Sequence, residues 1–64
     1  MRRLKATPTM TELVRGLREG EVARVYFSDC KETVLRNIVH RLKKEGLAYQ
    51  VNVVENYCIV TRLA

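Results

Sequence analysis

Residues 34–62 read VLRNIVHRLKKEGLAYQVNVVENYCIVTR, and this stretch decides the fold. Val34, Leu35, Ile38 and Leu42 recur at helical spacing and make one apolar stripe. Arg36, Asn37, His40, Arg41, Lys43 and Lys44 fill the other side. Gly46 is a stop signal. After it the pattern changes to alternation. Leu47, Tyr49, Val51 and Val53 take one face of a strand over residues 47–54, and Ala48, Gln50, Asn52 and Val54 take the other. Glu55-Asn56 is a turn. Residues 57–63 return as a strand in which Tyr57, Ile59, Thr61 and Leu63 oppose Cys58, Val60 and Arg62.

The upstream half adds a second, shorter set of elements. Thr9 with Glu12 three residues later has the form of a capping box. Met10, Leu13, Val14 and Leu17 then give an apolar helix face through about residue 19, closed by Gly20. Residues 21–27 alternate as a strand, with Ala23, Val25 and Phe27 on one face and Val22, Arg24 and Tyr26 on the other. Ser28-Asp29 form a turn, and Asp29 with Glu32 provides a capping arrangement for the long helix, which runs to about residue 45. Residues 1–8 are a basic N-terminal arm or a short edge strand over 3–6, and residues 9–64 form a single domain.

The order is therefore (β)-α-β-α-β-β. Two helices on one face of a small mixed sheet bury both apolar stripes, which predicts an α+β two-layer sandwich. Leu35, Ile38 and Leu42 are expected to pack on Val25, Phe27, Val51 and Ile59. The other sheet face would show Arg24, Tyr26, Gln50, Asn52 and Arg62 to water.

At 64 residues the core is small and self-association, as a homodimer, is a natural supplement. No run approaches the ~20 apolar residues of a membrane span, and no apolar signal segment follows the basic start. Two cysteines, Cys30 and Cys58, are too few for a disulfide scaffold, so a reducing, cytoplasmic setting with free thiols is expected. The lone His40 and two distant cysteines lack zinc-ligand spacing. No glycine-rich phosphate loop, nucleophile–base pair or cofactor motif is present, so the chain reads as non-catalytic. Cys30, beside the start of the long helix, is the one candidate for a reactive thiol.

The net charge is +5, and it is unevenly placed. Residues 1–20 hold five basic and two acidic side chains, and residues 31–45 hold the same numbers. No acid interrupts the long helix between Glu32 and Glu45. Arg36, His40 and Lys43 form one row on that helix, and Asn37, Arg41 and Lys44 a second. Two rows of donors suit a phosphate backbone, with Arg2 and Arg3 adding charge from the N-terminus. Arg24, Tyr26 and Arg62 are a second candidate, a sheet-face platform on which a single strand could stack. The expected partner is nucleic acid, DNA or RNA, with an acidic protein surface as the alternative. A charged face that only keeps the chain soluble explains the same residues.

Two resemblances extend this reading. Residues 11–63, with the Gly20-Glu21 strand start, the Arg-containing long helix ending at Gly46 and the final Val60-Thr61-Arg62-Leu63, resemble small accessory proteins of phages and mobile elements. That resemblance implies a regulatory or accessory role without catalytic residues. The element order, with Gly20-Glu21, Ser28-Asp29 and Gly46, also resembles the sulfur-carrier proteins of the sulfur-relay family. Those proteins carry sulfur on a cysteine in a Cys-Pro-x-Pro motif opening the first helix. The matching stretch here is Thr7-Pro8-Thr9-Met10, without the cysteine or the second proline, so the resemblance would imply a relative that uses Cys30 instead as its sulfur acceptor. The same order is similar to the C-terminal domain of a bacterial translation initiation factor, for which the resemblance implies RNA as partner.

Overall fold

The computed structural model describes residues 2–5 and 9–64. The elements run β1 (Arg2–Arg3), α1 (Met10–Arg15), β2 (Val22–Tyr26), α2 (Glu32–Lys43), β3 (Tyr49–Val54) and β4 (Tyr57–Arg62). The sheet order is β1-β2-β4-β3. β1 is parallel to β2, while β4 is antiparallel to both β2 and β3. Strands β2 and β3 therefore run the same way, joined by α2, and β4 fills the gap between them. The architecture is the expected α+β sandwich, with both helices on one face of a mixed sheet.

Leu35, Ile38 and Leu42 form the buried stripe of α2, as the periodicity requires. They pack with Val25 and with the partly buried Phe27 and Val51. Val34 departs from the stripe. It is 47% exposed, because the sheet beneath α2 covers a narrower arc than four apolar positions would fill.

The phase of β4 is opposite to expectation. Cys58 and Val60 face the helices and are fully buried, paired with Val25 and Ala23. Ile59 pairs with Arg24 and Asn52 on the open face. The two-residue turn Glu55-Asn56 sets Cys58 opposite Val53 and Val60 opposite Val51, so Cys58 and Val60 share the helix-side face of those valines. Arg62 accordingly belongs to the helix side, not to the open face. It pairs with Tyr49, and its guanidinium donates to the Leu17 carbonyl and, at 3.2 Å, to that of Ala64.

Helix α1 is shorter than the apolar spacing suggests. Thr9 caps it, its hydroxyl accepting from the Glu12 amide at 3.2 Å. The helix stops before Gly16, and Leu17 reaches the core through a tighter turn in which its amide donates to Val14. The Glu21 carboxylate then accepts from the Arg18 amide at 2.9 Å. Gly20 adopts φ 84° and ties its amide to the Arg62 carbonyl, so the chain turns into β2 rather than continuing the helix.

Helix α2 begins with Lys31 at the N-cap position and has no side-chain cap. Asp29, the expected cap, is bound instead to Arg3 at 2.9 Å. At the other end Leu47 donates to the Leu42 carbonyl and Gly46 (φ 90°) to that of Lys43. These are the two bonds of a Schellman motif, with Leu42 and Leu47 as its apolar pair.

At the N-terminus Leu4 is only 1% exposed, and its amide donates to Arg24 at 2.9 Å. This leucine fixes β1 to the sheet, so Arg2-Arg3 is an edge strand rather than a free arm. Met1 and residues 6–8 of the proposed arm lie outside the described residues.

Candidate nucleic-acid interface

All six polar positions singled out on α2 are exposed: Arg36, Asn37, His40, Arg41, Lys43 and Lys44. The burial of Leu35, Ile38 and Leu42 turns them outward together. Their electrostatic states differ. Arg36 donates to Glu32 one turn earlier at 2.7 Å, which offsets its charge. Among the described residues Arg41, Lys43 and Lys44 make no ion pair. Glu45, the next acid along the chain, is taken by Arg15 of α1 at 2.9 Å. That bond, and the field of the Glu45 carboxylate, raise the Arg15 pKa above its ordinary value. Arg41, Lys43 and Lys44 also lie where the negative end of the helix dipole favours cations.

The two rows on α2 have different surroundings. Arg36, His40 and Lys43, with Val39, line a groove of about 310 Å³ against Tyr49 and Val51 of β3. The row Asn37, Arg41 and Lys44 has no part in that groove.

Arg2 and Arg3 are exposed but committed within the fold. Arg2 lies 3.7 Å from Glu21, and Arg3 binds Asp29. The guanidinium carbon of Arg3 also sits 4.2 Å from the Tyr26 ring centroid, a cation–π contact. The open sheet face is richer in aromatics than the strand pattern suggested. Tyr57 pairs with Tyr26 across β2 and β4, ring centroids 5.1 Å apart and planes tilted by 34°. The two-residue turn at Glu55-Asn56 sets Tyr57 opposite Val54 and so on the open face, while its pairing with Tyr26 comes from the long-range β2–β4 register. Arg24 lies at 5.9 Å from the Tyr26 ring, with its Nε buried and without a hydrogen-bond partner among the described residues. Arg3 already occupies a face of Tyr26, and Arg62 is on the other side of the sheet, so two of the features expected of a stacking platform are occupied or displaced.

Both cysteines are free and buried. Burial pushes the Cys30 thiol pKa up, and the Asp29 carboxylate pushes it further. Burial likewise raises Cys58. Cys30 is therefore a poor nucleophile at neutral pH, which removes the physical motive for a reactive thiol there. The Tyr49 hydroxyl donates to the Val14 carbonyl at 2.9 Å, linking β3 to α1, and burial raises its pKa.

Among the described residues no three His, Cys, Asp or Glu side chains are grouped so as to hold a metal ion. No described helix is long and apolar enough to cross a membrane. No family model, no curated protein and no solved structure matches this chain.

Proposed function

We propose that the chain is a small, non-catalytic nucleic-acid-binding protein with an accessory or regulatory role, using the C-terminal half of α2 as its contact surface. One observation carries this reading. Arg41, Lys43 and Lys44 are exposed and outside every ion pair found, whereas Arg2, Arg3, Arg15 and Arg36 are each matched to a carboxylate. Lys5, Arg18 and Lys31 are also exposed and outside those pairs, but each stands singly on a different segment. The densest uncompensated charge thus falls on one short helical segment, rather than being spread for solubility. Such a segment attracts phosphates, and counterion release stabilises the complex. Asn37 stands in the same row as Arg41 and Lys44, and its amide can donate to and accept from a base edge. The helix surface is preferred to the open sheet because Arg3 and Asp29 already engage Tyr26 and its surroundings.

The test is titration of the protein into fluorescent duplex DNA and single-stranded RNA of mixed sequence, at low and at moderate salt. Binding at low salt that weakens steeply as salt rises is expected with at least one polymer. No binding to either at low salt would overturn the proposal.

A further inference from the structure

Among the described residues strand β3 is the outer strand on its side of the sheet, with β4 as its one neighbour. Its six residues, Tyr49–Val54, contain no charge, no proline and no glycine. Charge and proline are among the devices by which natural sheets protect an edge. The opposite edge differs: β1 is two residues long and both are arginine. The register tells which backbone groups β3 leaves open. Val54 and Tyr57 flank the two-residue turn Glu55-Asn56 and form its hydrogen-bonded pair. Alternation then directs the amides and carbonyls of Val54, Asn52 and Gln50 toward β4. Those of Val53, Val51 and Tyr49 point outward.

The side chains of these outward-bonding residues lie on the helix side of the sheet. Tyr49 and Val51 line the groove of about 310 Å³ with Arg36, Val39, His40 and Lys43. Val53 is 47% exposed beside it. A strand added to β3 would bond to three residues and set alternate side chains under the flank of α2. That flank is basic. Lys43 is outside the ion pairs, and Glu32 offsets Arg36 alone. A second copy of this chain fits poorly, because two-fold pairing of β3 with β3 would set both α2 helices on one sheet face with their basic flanks together.

We infer that the outer edge of β3 binds an extended acidic segment of a partner protein by strand addition, with its carboxylates in the groove lined by Arg36, His40 and Lys43. This surface shares Lys43 with the proposed nucleic-acid contact but not Arg41 or Lys44, and it is argued from the β3 edge, so it does not depend on the nucleic-acid reading.

The experiment is residue-resolved amide hydrogen exchange of the full chain with a synthetic peptide alternating Glu and Thr, at millimolar concentration. A peptide alternating Lys and Thr is the control. The expected result is exchange slowed by about tenfold or more at Tyr49, Val51 and Val53, with Gln50 and Asn52 unchanged, and only with the acidic peptide. His40→Glu with Lys43→Glu, both exposed positions, should abolish that protection, while Arg41→Ala with Lys44→Ala should preserve it. Lack of protection by the acidic peptide overturns the inference. So does equal protection by the basic peptide, protection that appears with protein concentration alone (a second copy), or protection by a DNA or RNA oligonucleotide in place of peptide.

Discussion

The Nε of Arg36 donates to the Glu32 carboxylate at 2.7 Å across one turn of α2, so the first cation of the basic helix arrives already matched. If phosphates bind this helix, Arg36→Ala should change the salt dependence of binding less than Arg41→Ala does. Glu32→Gln, which frees Arg36, should steepen it. The slope of log affinity against log salt for the three variants checks both expectations.

The position of Arg62 makes a contrasting prediction. Its guanidinium bridges the Leu17 and Ala64 carbonyls on the helix side. Arg62→Ala should therefore cost about 1–3 kcal/mol in stability by leaving a carbonyl without its charged donor. Its effect on the salt slope should be small. Urea unfolding and binding titration of the same variant separate the two roles.

Much of the fold was legible because α2 and β3 each show one clean period. Leu35, Ile38 and Leu42 could only be a helix stripe, and Gly46 marked its end. Strand β4 was ambiguous because both of its rows mix apolar and polar residues. The choice between Ile59 and the Cys58–Val60 pair follows only when the two-residue turn at Glu55-Asn56 is carried through from β3, which pairs Val53 with Cys58 and Val51 with Val60. Leu4 stands alone among basic residues and has no period to announce it. On the candidate site, the exposure of the α2 cations followed from the same stripe. The ion pairs of the other arginines did not, since Arg3 with Asp29 and Arg15 with Glu45 join residues distant in sequence.

Leu4 gives a direct test of the N-terminal packing. It is buried in the core beside β1, at 1% exposure. Leu4→Ala should destabilise the chain by about 2–5 kcal/mol, comparable to Ile38→Ala. A loss below about 0.5 kcal/mol in urea unfolding would fall under the range for even a single buried methylene, and would mean that β1 does not hold the sheet edge.

Stability should also depend on pH in one direction. Cys30, Cys58 and Tyr49 all have pKa values raised by burial in the folded chain. Each neutral form is favoured by folding, so the unfolded chain loses these protons first as pH rises. Their contribution is complete near neutrality and is lost above about pH 9, the ordinary thiol value being 9.0. Unfolding midpoints followed from neutral into alkaline pH should fall, and thiol alkylation of the folded chain near neutrality should be slower than in urea.

The most direct measurement is the salt dependence of nucleic-acid affinity for the native chain and for Arg41→Ala/Lys43→Ala/Lys44→Ala. None of the three side chains is buried, so the variant should fold. Its log–log slope should be shallower by roughly two to three units on duplex DNA, about 0.9 for each phosphate no longer neutralised. An unchanged slope in the folded variant would contradict the assignment of this helix surface as the interface.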